Sequence, residues 1–154
     1  MTGPITKSVT VPLSRQRAFD LFTREISDWW PLDTHSLSAS DKEHAISVNI
    51  PNVVGEQVIE TRHDGTTAPW GRVTEWREGE EFAMRWHVGR PESQGTEVRV
   101  SFAEVADGTR VTVVHSNWQA LGDEAETRRA NYDTGWGIVL GLYAKAGQRQ
   151  PATA

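Results

Sequence analysis

The stretch from residue 96 to residue 116 limits the fold more than any other part of the chain. Val98, Val100 and Phe102 alternate with Glu97, Arg99 and Ser101; Asp107-Gly108 follows; Val111, Val113 and His115 then resume the alternation. A period of two on both sides of an Asp-Gly pair predicts an antiparallel hairpin over 96–105 and 109–116, tightly turned at Asp107-Gly108 and buried on one face. Such a pair needs a covering layer. One lies directly downstream. Over residues 128–146 an apolar arc of Tyr132, Trp136, Ile138, Val139, Leu140, Leu142 and Tyr143 opposes Asp133, Thr134, Gly137, Gly141 and Lys145. That pattern predicts a long amphipathic helix. Asp123 and Glu126 have the spacing of a capping pair, and Glu124 can reach Arg128 one turn on.

Upstream, residues 5–11 read as a strand ended by Pro12. Ser14 is a candidate N-cap for a helix over 14–30, whose apolar stripe is Ala18, Phe19, Phe22, Ile26, Trp29 and Trp30. Pro31 stops it, and residues 32–42 are polar and irregular. Strands are expected at 45–50, 57–63, 70–77 and 81–88, punctuated by Pro51, Asp64-Gly65 and Glu78-Gly79, with a loop at 89–95. The order is strand, helix, about six strands, long helix: an α+β chain with helices on one face of an antiparallel sheet. No repeat or interior linker divides it. A length of 154 residues suits one domain, expected over 1–147, and residues 148–154 read as a flexible tail around Pro151.

Several function classes fall away. Twenty-one acidic against sixteen basic residues give a net charge of −5, which argues against a nucleic-acid partner. The lack of cysteine excludes a disulfide scaffold and a thiol nucleophile. No apolar run approaches the ~18 residues of a membrane span and no signal-peptide pattern opens the chain, so a cytoplasmic protein with no membrane partner is expected. His35, His44, His63, His87 and His115 include no pair at helical i, i+4 spacing, so no metal and no cofactor is assigned. No Gly-x-Ser-x-Gly elbow occurs, and Ser116 and His115 point to opposite strand faces, so no catalytic residue is assigned. Gly135, Gly137 and Gly141 fall inside a helix, unlike a dinucleotide fingerprint.

A set of short phrases carries a family resemblance. Val11-Pro12 with Ala18-Phe19, the string Trp29-Trp30-Pro31, Trp70-Gly71-x-Val73, Trp86 at a strand end, His115-Ser116-x-Trp118 and Tyr132-x-x-Gly135-Trp136 occur in that order. Over residues 5–146 they resemble the branch of the START-like SRPBCC superfamily named for the activator of heat-shock protein 90 ATPase. The resemblance implies the helix-grip fold, a curved antiparallel sheet of about six or seven strands wrapped around the C-terminal helix, with a cavity between them. The superfamily includes lipid carriers, hormone receptors and polyketide cyclases. The eukaryotic chaperone activator carries a separate N-terminal domain for which this chain has no room, and Asn117 stands where the branch often has glycine.

Seven tryptophans carry the functional suggestion. Trp76 and Trp118 read as core. Trp29, Trp30, Trp70, Trp86 and Trp136 converge on one interior if the sheet wraps the helix, together with Met84, Tyr132, Val139 and Tyr143. Aromatic walls with few polar groups suit a small apolar or aromatic ligand. His115 faces inward, either as a satisfied core histidine or as the group that orients the ligand's polar end. Glu60 and Arg62 share a strand face and read as cavity groups or as a solvent-facing pair. Arg128 and Arg129 start the long helix and read either as groups that meet a ligand carboxylate together with the helix N-terminal amides or, the favoured reading, as surface arginines paired with Glu124. Gly137 and Gly141, four apart, read as tolerated glycines or as a homodimer contact. The expectation is therefore a small-molecule binding protein without covalent chemistry. The alternatives are a cyclase- or hydratase-like enzyme in which His115 or Glu60 moves protons, and a chaperone-associated, ATPase-activator-like protein.

Overall fold

A computed structural model describes residues 3–150. Strand β1 (Ile5–Val11) runs into α1 (Arg15–Phe22), which opens under Ser14, whose Oγ accepts from the Arg17 amide at 3.2 Å. The helix expected to reach residue 30 stops at Phe22. Thr23 is the physical reason: its amide and its hydroxyl both donate to the Phe19 carbonyl, at 3.0 and 2.7 Å. A threonine hydroxyl bonded to the i−4 carbonyl weakens and bends a helix, and here the chain leaves the helical course, the Glu25 amide reaching back five residues to the Asp20 carbonyl at 3.1 Å. The apolar stripe survives the break. Ile26–Asp28 form one 3-10 turn, and the Trp30 amide donates to the Ile26 carbonyl at 2.9 Å. Ile26, Trp29 and Trp30 therefore stay buried.

Six strands follow: β2 (Ser47–Asn49), β3 (Gln57–Thr61), β4 (Thr67–Arg77), β5 (Glu81–Trp86), β6 (Thr96–Val105) and β7 (Gly108–Ser116). With β1 they form one antiparallel, half-barrel sheet in the order β1-β7-β6-β5-β4-β3-β2. Register shifts at Val58/Ile59 and Val73/Glu75 bend its β3–β4–β5 end, as bulges do. The β6–β7 hairpin turns one residue earlier than expected. Gly108 already pairs with Val105, so Ala106 and Asp107 make the turn. Glycine is required at 108 because its φ is +140° and a Cβ would stand 2.1 Å from the Val11 carbonyl oxygen.

Helix α2 (Ala125–Gln148) follows a 3-10 segment, Trp118–Glu124. Glu124, not Asp123, occupies the N-cap and makes no side-chain cap, so the expected capping pair is not realised. The i, i+4 pair with Arg128 is present at 3.4 Å. Trp136, Val139, Leu140 and Tyr143 turn into the sheet, whereas Ile138, expected on the same arc, is 49% exposed. Gly137 and Gly141 lie on the open side, and a Cβ on Gly141 would meet nothing within 4 Å.

The concave interior has two ends. At one, Phe19, Phe22, Phe82, Phe102 and Tyr143 interlock with ring centroids 5.0–6.4 Å apart. At the other stand Trp30, Trp70, Trp86 and Trp136. The convex face is charged, with Arg99 bridging Glu75 and Glu81 at 2.7 and 2.6 Å. No helix among the described residues is long and apolar enough to cross a membrane. Of the expected tail, Gln148 closes α2 and Gln150 donates to the Ala146 carbonyl and accepts from Arg17. Residues 151–154 lie outside the described residues.

Candidate ligand-binding cavity

The tryptophan end of the interior is not filled. A cavity of about 340 Å³ opens there, within the ~300–1,000 Å³ usual for small-molecule sites. Trp70 of β4 and Trp86 of β5 form the sheet wall, and Tyr132, Gly135, Trp136 and Val139 form the helix wall. The segment after the 3-10 turn closes the third side with Trp30, Thr34, His35 and Ser36. Val88 and Arg128 complete the lining.

The four indoles form an inclined box. Trp30 lies 5.4, 6.2 and 6.0 Å from Trp70, Trp86 and Trp136, ring centre to ring centre. Trp70 and Trp86 are 5.7 Å apart. The Trp70-Gly71 phrase explains that approach. Gly71 sits opposite Trp86, and a Cβ there would fall 2.1 Å from the Arg85 carbonyl oxygen. Only glycine lets β4 and β5 close up so far.

Every indole N–H in the box is satisfied within the protein. Trp30 donates to the His35 carbonyl at 2.8 Å, Trp70 to Glu60 Oε1 at 2.8 Å, Trp86 to Tyr132 Oη at 3.2 Å and Trp136 to His115 Nδ1 at 2.9 Å. The polar edges are thus engaged and the apolar ring faces remain for an occupant.

Two buried polar groups act from behind these walls. Glu60 is fully buried and accepts four hydrogen bonds: from the Leu37 and Ser38 amides at 2.7 and 3.0 Å, the Ser38 hydroxyl at 2.8 Å and Trp70. Burial pushes its carboxyl up, but the bonds together outweigh that and hold it below the ordinary carboxylate range. The residue therefore ties the 32–42 loop to Trp70. Arg62 does not join it and instead pairs with Asp41 at 3.0 Å.

His115 is fully buried behind Trp136. Its Nδ1 accepts from Trp136, so Nε2 carries the proton toward Thr96 Oγ1 at 2.7 Å. Thr96 then donates to the Trp86 carbonyl at 3.1 Å. One tautomer satisfies the whole relay. Burial lowers the imidazole pKa to about 3, which keeps the ring neutral.

Of the residues expected at the site, Trp30, Trp70, Trp86, Tyr132, Trp136 and Val139 line the cavity. Trp29, Met84, Tyr143 and His115 do not. Trp29 donates to the Leu21 carbonyl at 2.8 Å and Tyr143 to the Ala18 carbonyl at 2.7 Å, both toward the solid end. Met84 sits between Val73 and Val98 in the sheet. Thr34, His35, Ser36, Val88, Arg128 and Gly135 also line the cavity. Residues 34–36 had no periodic signal; their only cue was their place after Trp-Trp-Pro. Among the described residues no group of three or more His, Asp or Glu could hold a metal.

A family model described as Activator of Hsp90 ATPase homolog 1-like protein matches residues 12–141. The chain belongs to that family. Its sheet and long C-terminal helix are those of the SRPBCC helix-grip superfamily. The family's Aha1 dimer from Colwellia psychrerythraea superposes with a TM-score of 0.68 at 21% identity, covering 95% of this chain and 96% of that one. An AHSA1-like protein from Aeromonas hydrophila gives 0.64 at 17% identity, covering 96% and 97%. Txn09, an anthrahydroquino-γ-pyrone synthase solved as a complex, is 30% identical, with a TM-score of 0.58 over 81% of this chain and 83% of that one. Among curated proteins none matches the chain.

Proposed function

We propose that the protein binds a small, flat, largely apolar aromatic molecule in the tryptophan-walled cavity. One observation carries this reading: the four indole N–H groups are engaged within the fold, so the indole walls of a space of about 340 Å³ present their ring faces to it, while Thr34, His35, Ser36 and Arg128 add polar lining. A core built only for stability fills such a space. The likeness to Txn09, whose name describes a fused aromatic product, supports the same ligand class. Native mass spectrometry of the gently purified protein, followed by tryptophan-fluorescence titration with 2-naphthol, tests the reading. A bound mass lost on denaturation, or saturable quenching, is expected. A bare mass together with no saturable quenching would discard it.

Turnover is a second reading, favoured by the 30% identity to Txn09. The cavity would hold a reactive conformer, and His35 is the imidazole on its wall, since His115 and Glu60 lie behind the walls. Conversion of an anthrahydroquinone, followed by chromatography, tests it. Unchanged substrate with intact binding would remove catalysis and leave the binding reading standing. A second copy of the chain is proposed as a partner on the open Gly137–Gly141 side of α2. Sedimentation at micromolar concentration decides between dimer and monomer.

A further inference from the structure

Beside the main cavity lies a chamber of about 30 Å³ that shares Trp86, Val88, Arg128 and Tyr132 with it. It is large enough for one water-sized group, which needs about 10–15 Å³. His87, at the end of β5, lines this chamber and is 5% exposed. Its Nδ1 lies 3.0 Å from the Arg90 carbonyl and must donate to it. In the neutral ring Nε2 is then an acceptor, and Nε2 is buried with no partner. Tyr132 has the opposite deficiency. Its oxygen accepts from Trp86 Nε1, while its own O–H has no acceptor among the described residues. Thr96 also lines the chamber, but its hydroxyl is engaged by His115 and the Trp86 carbonyl.

A free acceptor and a free donor on one small chamber are complementary to a group that donates once and accepts once. We propose that the chamber is a hydroxyl-binding subsite. A phenolic or enolic O–H of the ligand donates to His87 Nε2 and its oxygen accepts from Tyr132. An anion is disfavoured because both nearby guanidiniums already share the Glu124 carboxylate, Arg90 at 2.6 Å and Arg128 at 3.4 Å. The inference rests on the cavity reading and narrows its ligand class to hydroxylated aromatics.

The test compares 2-naphthol, naphthalene and 2-naphthoate by tryptophan quenching, on the wild-type protein and on His87→Asn. Asparagine keeps a donor for the Arg90 carbonyl and removes the Nε2 acceptor. In the wild type 2-naphthol should bind at least tenfold tighter than naphthalene, the combined effect of two buried hydrogen bonds. In His87→Asn that gap should close, with naphthalene affinity unchanged. Equal binding of the two probes in the wild type, or a gap that survives in His87→Asn, overturns the subsite and leaves the cavity reading intact. So does tighter binding of 2-naphthoate, which would mark an anion site. Binding of none of the three overturns the cavity reading and this one with it. Should His87→Asn fail to fold, Tyr132→Phe removes the donor. Because Tyr132 is also a cavity wall and takes the Trp86 N–H, the readout is then the ratio of 2-naphthol to naphthalene affinity, which should fall toward one, and an unchanged ratio overturns the subsite.

Discussion

Protonating His115 would set an N–H on Nδ1 against the Trp136 N–H, in a place no water reaches. The folded state therefore keeps the ring neutral down to about pH 3, while the unfolded chain takes up the proton near 6.5. The sign follows. Below pH 6.5 the unfolded state binds one more proton than the native state, so this contribution is complete above 6.5 and drains as pH falls toward 3. Between pH 6.5 and 5, wild-type stability should fall by about 1.6 kcal/mol in all from this residue, the slope steepening toward about 1.4 kcal/mol per pH unit below pH 5.5. His115→Asn keeps an acceptor for Trp136 and removes the titration. Urea unfolding at pH 7.5, 6, 5.5 and 5 should show that slope in the wild type and its loss in the variant. A slope common to both proteins would place the proton elsewhere.

The 32–42 loop is the element that makes a site of the tryptophan end, and it is held by a distant residue. Glu60 of β3 takes the Leu37 and Ser38 amides while accepting from Trp70. In Glu60→Gln an amide N–H₂ would face donors, at a cost of about 2–3 kcal/mol. Hydrogen exchange should accelerate at Leu37 and Ser38 and stay slow in β6 and β7. Uniform acceleration would mean that Glu60 supports the fold and not the loop. The same contrast marks what the sequence could tell. Strands β1, β6 and β7 and helix α2 were legible because a period of two or of 3.6 reports burial on one face. The end of α1 was not legible, because Thr23 bonds back to Phe19 beneath a stripe that continues unbroken. The indole walls were readable from residue type and register. His35 and Ser36 were not, since tertiary bonds to Trp30 and Glu60 fix their segment. Even Glu60 stayed ambiguous, as Val58 and Ile59 gave its strand no apolar side.

At the scale of the molecule, the sheet grips α2 over an interior that is solid at one end and open at the other, and this division is itself testable. Phe102 belongs to the solid end, where it meets Phe19 and Phe22 at 5.1 and 6.1 Å. Phe102→Ala should lower stability by about 3–5 kcal/mol. It should leave the affinity for 2-naphthol within twofold, since no cavity wall moves. Val88 belongs to the open end, half-buried at the cavity. Val88→Phe should do the reverse. It places a ring where the occupant would lie, so binding should fall at least tenfold while the melting temperature holds or rises. Stability and affinity measured on both variants form a two-by-two comparison. Opposite responses mean that stabilising packing and ligand space occupy different ends of one interior. Parallel losses in both variants would mean that the tryptophan end is continuous core, and that a single packing constraint governs the whole grip.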